Sequence, residues 1–230
     1  MNTDRISYVR KRLKESQLST FPKYAHCLGL DLEVHKDVFW DDNDNVTGRW
    51  VTENVPPAVG KSVLEIGCGC GLTALFLAKN GASHVLATDI NPHAIANTLA
   101  NANRNGITNI TGVQSDLYKN VDPTSQFDQV IFHLPATHVP DDFAFSSMIE
   151  HSSFDPGGSV LNRFLRESQN YLTPNGTMIL GYNVSRSEST ITDKLESLDL
   201  PHKLIAKKKI TSDGMINLHL YEVWPLPGER

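Results

Sequence analysis

Apolar and polar positions along this chain change rhythm several times, and each change marks an element. Ile6, Val9 and Leu13 recur at helical spacing in a basic stretch, which predicts a short amphipathic helix over residues 1–19. Residues 31–44 then carry Asp31, Glu33, Asp37, Asp41, Asp42 and Asp44 around Val38-Phe39-Trp40, a pattern read as a loop pinned by its aromatic side chains. A helix is expected over Val51–Val55, stopped by Pro56-Pro57. From Lys61 short apolar runs alternate with helical ones. Strands are predicted at Val63–Ile66, Val85–Thr88, Ile110–Gln114, Phe127–Phe132 and Met178–Leu180. Helices are predicted at Leu72–Lys79, from Pro92 to about Asn105, at Ser159–Leu172 with Ser159 as cap, and at Ile191–Leu198. Asn91 before Pro92 is a good cap and Gly106 a good terminator. Residues 133–158 read as a long irregular passage and Thr173-Pro174-Asn175-Gly176 as a turn. Two last strands, His202–Ile210 and Ile216–Trp224, read as a hairpin turning at Ser212-Asp213-Gly214.

This alternation predicts an α/β fold with a doubly wound, mostly parallel sheet, to which the closing hairpin adds one antiparallel strand. At 230 residues the chain is one large domain, without internal repeat or low-complexity tract. With 21 Lys+Arg against 26 Asp+Glu the net charge is −5, which argues against a broad electrostatic grip on nucleic acid. The three cysteines, Cys27, Cys68 and Cys70, do not make a secreted disulfide framework. The opening MNTDRISYVRKRLKES lacks the apolar core of a signal peptide, and no apolar run is long enough to span a membrane. A soluble, cytoplasmic protein is expected.

Chemistry concentrates in Glu65-Ile66-Gly67-Cys68-Gly69-Cys70-Gly71, between the first predicted strand and its helix. Glycines there let the backbone turn tightly and approach a ligand. Asp89 ends the next strand, where a carboxylate can accept two hydrogen bonds from a ribose diol. A dinucleotide fingerprint spaces its glycines G-x-G-x-x-G, whereas here they fall at Gly67, Gly69 and Gly71. That spacing, with a carboxylate two residues ahead, resembles the class I S-adenosylmethionine-dependent methyltransferases. A glycine-rich turn without a ligand and a nicotinamide-dependent oxidoreductase are the competing readings.

The resemblance covers about residues 45–182. The run GKSVLEIGCGCGLTALFLAKNGASHVLATDINPHAIANTLANANRNGI is similar to the ribosomal-protein lysine methyltransferases. It implies a seven-stranded Rossmann-like fold with S-adenosylmethionine as cofactor, and a catalytic domain over residues 59–230. Residues 1–58 are then an extension covering the active site. By the same resemblance Glu65 lies near the methionine amino end, Gly67, Cys68, Gly69 and Gly71 under the sugar, and Asp89 on the ribose hydroxyls. Ile90 flanks the adenine, and Asp116, followed by Leu117, accepts from its amino group. Thr47 and Gly48 match a Thr-Gly segment packed over the methionine half. Neighbouring Trp50 is more often a core residue, and Arg49 either contacts a carboxylate or is solvated.

Phe132-His133-Leu134-Pro135-Ala136 stands where release-factor glutamine methyltransferases carry Asn-Pro-Pro-Tyr motifs, and Asp155-Pro156-Gly157-Gly158 also resembles that group. His133 replaces the Asn and Ala136 the Tyr, a departure from planar-amide recognition. His133, with an unperturbed pKa of about 6.5, is the candidate to take a proton from the acceptor or to position it. Its competing role is to cap a strand end.

The expected activity is methyl transfer to a nitrogen of a small molecule or protein side chain. The alternatives are methylation of an rRNA or tRNA base, O-methylation of a small molecule, and a non-catalytic binding module. Cys68-x-Cys70 lacks a second ligand pair, so no metal site is expected. Lys207-Lys208-Lys209 reads as an edge-strand guard rather than a nucleic-acid patch.

Overall fold

The computed structural model describes residues 3–40, 46–184, 189–210 and 216–226. Helix α1 (Thr3–Ser16) leads to the hairpin β1 (Lys23–Cys27) and β2 (Leu30–Val34), then α2 (Val46–Asn54). Next come β3 (Ser62–Ile66), α3 (Leu72–Lys79), β4 (His84–Asp89), α4 (Pro92–Arg104), β5 (Ile110–Gln114) and β6 (Phe127–His133). Short β7 (Thr137–Val139) and β8 (Phe154–Pro156) flank a 3-10 turn at Met148–Ser152. The chain closes through α5 (Ser159–Glu167), β9 (Leu172–Asn183), α6 (Ser189–Ser197), β10 (His202–Lys209) and β11 (Asn217–Val223).

Seven strands form the central sheet in the order β10-β11-β9-β6-β3-β4-β5. β3 pairs in parallel with β4 on one side and β6 on the other, and β11 alone runs antiparallel to its neighbours β9 and β10. The inner strands are apolar on both faces because both are covered: Val63 and Leu64 are each fully buried, in different clusters. One face carries the β1–β2 hairpin, α2 and α3, and the other carries α5 and α6. A third cluster joins Leu13 of α1 to Val139, Ile149 and Phe154. The order in which strands are added reverses between β3 and β6, so a crevice opens at the carboxyl ends of these parallel strands.

Five expectations need correction. Thr173-Pro174-Asn175-Gly176 is not a turn but lies inside β9, which runs from Leu172 to Asn183. The stretch from residue 31 is not simply a loop: Leu30–Val34 is a strand, with Leu30, Leu32 and Val34 inward and its polar residues outward. Its other edge is held by Asn97, Asn101 and Asn105, four residues apart, whose carbonyls accept from the backbone N–H of His35, Glu33 and Asp31 at 2.9, 2.8 and 2.9 Å. The helix expected from Val51 already begins at Val46. Residues 133–158 hold the parallel pair β7–β8 instead of wholly irregular chain. Gly158, not Ser159, is the α5 cap position, and Asp155 accepts from Val160 and Leu161 N–H at 2.8 and 3.3 Å; the α-helix stops at Glu167 and continues as a 3-10 turn over Ser168–Tyr171. Asp41, Asp42, Asp44 and the turn expected at Ser212-Asp213-Gly214 lie outside the described residues.

Candidate active site

Four strand ends deliver polar side chains to one cavity: Glu65 from β3, Asp89 from β4, Ser115 and Asp116 after β5, and His133 from β6. Thr47, Gly48, Gly67, Cys68, Gly69, Ile90 and Leu117 also line it. Gly71 does not: it is the α3 cap residue at φ 89°, where a Cβ would sit 2.9 Å from the Thr98 side chain. Trp50 is buried in the core, and Arg49 pairs with Glu53 on the exposed side of α2 at 2.9 Å.

The glycine loop is shaped by the groups behind it. Gly67, Gly69 and Gly71 all have positive φ. A Cβ on Gly67 would lie 2.8 Å from the Phe132 ring, whereas one on Gly69 would meet nothing within 4 Å. Gly69 is thus where the backbone faces free space. Thr98 Oγ1 donates to the Gly69 carbonyl at 3.1 Å, and Asn101 Nδ2 donates to the Cys70 carbonyl at 2.9 Å. Burial pushes the Cys70 thiol up to about 12, which makes it inert as a nucleophile.

Asp89 is oriented from two sides: Gly69 N–H donates to Oδ2 at 3.0 Å and Asn91 N–H to Oδ1 at 2.9 Å. Each oxygen keeps a further lone pair for a ligand hydroxyl. Burial raises its pKa above the ordinary carboxylate value. Glu65 accepts from Ala74 N–H at 2.7 Å, and burial pushes its pKa to about 8, with the charge of Asp89 adding to the rise.

Asp116 is not free-standing. Arg163 of α5 donates to its two oxygens from Nη1 at 2.9 and 3.2 Å. Sequence reading missed Arg163, which lies 47 residues away. It also missed Phe39, Met148, His151 and Ser152, which wall the cavity from segments without a recognisable motif.

His133 stands at the mouth of β6 with the surrounding protein displacing its solvent, and that desolvation holds its imidazole near pKa 4. Among the described residues none hydrogen-bonds its ring. Room for the ring comes from Gly181, its register partner on β9, where a Cβ would lie 3.2 Å from His133 Cδ2. Sequence reading had no signal for Gly181, because the pairing of β6 with β9 supplies its meaning.

A model of a methyltransferase domain family matches residues 63–158. A protein of Methanocaldococcus jannaschii, provisionally named a protein N5-glutamine methyltransferase, is 29% identical over 198 residues, covering 85% of this chain and 97% of its own. The chain is an S-adenosylmethionine-dependent methyltransferase. The human electron transfer flavoprotein beta subunit lysine methyltransferase is 40% identical over 67 residues, 28% of this methyltransferase and 26% of the human protein. In three dimensions it resembles the crystal structure of a provisionally named methyltransferase complexed with S-adenosylhomocysteine, with TM-score 0.62, 16% identity, and coverage of 89% of this chain and 57% of that one. Among the described residues no helix is long and apolar enough to cross a membrane.

Proposed function

We propose that the methyltransferase transfers a methyl group to a nitrogen of a small molecule or protein side chain. The observation that carries this reading is the meeting of the glycine loop, Asp89 and the His133 imidazole at one cavity. The residues fit the cofactor. Gly69 offers open space for close approach, Asp89 offers lone pairs to a ribose diol, and Glu65 offers a carboxyl group that an ammonium beside it would draw back toward its ionised form. Ile90 and Leu117 flank the adenine, and Asp116 accepts from its amino group while Arg163 holds the carboxylate in place. Thr47 and Gly48 lie over the methionine half. Bound there, S-adenosylmethionine supplies a methyl already activated on a sulfonium.

The protein then has to align a lone pair and exclude water. His133 stays neutral at pH 7 and is too weak a base to deprotonate an ammonium, so its role is to position an acceptor nitrogen that arrives unprotonated. The nitrogen gains the methyl and releases its surplus proton to solvent. Helix α1 belongs to the cover of this site, a role supported by its packing on the segment between β6 and α5. Support for a nitrogen acceptor comes from the glutamine- and lysine-methylating names of the similar proteins. The net charge of −5 favours a non-nucleic-acid acceptor.

Calorimetric titration with S-adenosylmethionine, S-adenosylhomocysteine and NADH tests the site, followed by labelled-cofactor assays with amine, amide and hydroxyl acceptors. Binding of the adenosyl ligands alone, and label passing to nitrogen, is the expected result. Label appearing only on oxygen overturns the nitrogen reading.

A further inference from the structure

The turn at Met148–Ser152 reaches the cavity of the glycine loop from outside every motif: Met148, Ile149, His151 and Ser152 all line it. His151 alone among these brings a ring. Its imidazole stacks on Phe145, with centroids 3.8 Å apart and planes 17° from parallel. Of the two stacked rings only His151 lines the cavity, so Phe145 backs the imidazole and the cavity meets the side that Phe145 leaves uncovered. A second cavity opens beside the first and shares Thr47, His133 and Ser152 with it, but His151 is not on its wall. The imidazole therefore faces the space that holds the glycine loop and Asp89.

The ring is held in place by its own segment. Glu150, next in the chain, is buried and accepts from Arg10 Nε at 2.9 Å and from Ser146 N–H at 2.9 Å. Ser152 Oγ donates to the Ile149 carbonyl at 2.7 Å, and Ile149 packs with Leu13 of α1. Behind Phe145 the rings continue: Phe143 meets it edge-on at 5.3 Å, and Phe154 lies 4.8 Å from Phe143. His151 is thus the cavity end of a row of four rings. Along the cavity it lies on the side of Asp116, whose charge acts on the imidazole. Burial lowers the His151 pKa below its ordinary value, against the pull of Asp116 and Glu150, so the ring is neutral at pH 7. A neutral ring loses far less than a charged one when a ligand covers it.

We propose that His151 stacks on the adenine of the cofactor with the face that Phe145 leaves uncovered, opposite Ile90 and beside Asp116 at the amino edge. The proposal rests on the cofactor reading above and adds to it a binding residue from the segment between β6 and α5. A ring already braced by Phe145 gives up little conformational freedom on binding. Stacking tolerates any base, because every base has a π-face. Choice of adenine then falls to Asp116, an acceptor for an exocyclic amine.

The test titrates S-adenosylhomocysteine into the full chain as parent, His151→Ala and His151→Phe. Calorimetry reads affinity, and the intensity of the adenine absorption band reads stacking, because a stacked base absorbs less. The expected result is binding weakened about tenfold or more in His151→Ala and kept within about threefold of the parent in His151→Phe. At saturating ligand the adenine band should lose intensity on the parent and on His151→Phe, and keep it on His151→Ala. Circular dichroism of the ligand-free proteins reports folding. Should His151→Ala not fold, His151→Leu takes its place, filling the volume without a π-face, with the same expected loss of stacking. Parent-like binding by the alanine variant, a phenylalanine variant as weak as the alanine one, or a band that still loses intensity without a ring at position 151 overturns the proposal while leaving the cofactor site standing. Failure of the parent chain to bind S-adenosylhomocysteine overturns the cofactor site and this proposal together.

Discussion

Asp89 links the cofactor loop to the second strand, because its two oxygens accept from Gly69 and Asn91 before any ligand is present. In Asp89→Ala the ribose loses its acceptor and the loop loses an anchor. Cofactor affinity measured by calorimetry should fall roughly 10–150-fold. His133→Ala should leave that affinity within about twofold and slow single-turnover transfer about tenfold, the worth of one positioning hydrogen bond. Glu65 predicts a pH effect. Its carboxyl is raised from 4.5 to about 8, so the native state binds the proton more tightly than the unfolded chain does. The stability this contributes is fully present below pH 4.5 and lost as pH rises through about 8. The melting temperature of the ligand-free protein minus that of Glu65→Gln should therefore decline between pH 6 and pH 9. A difference independent of pH would mean that Glu65 ionises normally in the folded chain.

At the scale of elements, α4 is the connector between the hairpin and the cofactor loop. Asn101 is fully buried, accepts from Glu33 N–H, and donates to the carbonyls of Glu33 and Cys70. Asn101→Ala leaves those backbone groups without partners, and denaturant unfolding should show a loss of about 2–4 kcal/mol. Gly71→Ala sets a Cβ 2.9 Å from Thr98 at a φ of 89°. Its cost should reach about 1–3 kcal/mol, with cofactor binding weakened in parallel because the loop must shift. Both residues stand in plain sight in the chain, yet only Gly71 was noticed, because a glycine motif is local. The ladder of Asn97, Asn101 and Asn105 reads as a polar face until β2 is known to lie beside it. For the same reason β2 is hard to tell from loop in the sequence: five residues of alternation among carboxylates are a weak signal until a partner strand and the asparagines complete the backbone hydrogen bonds.

Across the whole molecule, α1 packs on the segment between β6 and α5. The tie between Arg10 and Glu150 spans 140 residues. Among the described residues, Arg10→Ala leaves a buried carboxylate held only by Ser146 N–H, so α1 should become an early site of limited proteolysis with little change in unfolding of the sheet. Alternation of strand and helix, the glycine loop, the Asn91 cap and the position of Asp89 were all decided by the sequence itself, because each depends on residues within a few positions of one another. Backbone conformation and hydrophobic period are short-range properties. The tertiary structure alone decided the pairing of Asp116 with Arg163, the seat that Gly181 makes for His133, and the asparagine ladder. Each joins segments distant in the chain, and their chemistry exists only when folding has brought them within hydrogen-bonding or van der Waals reach.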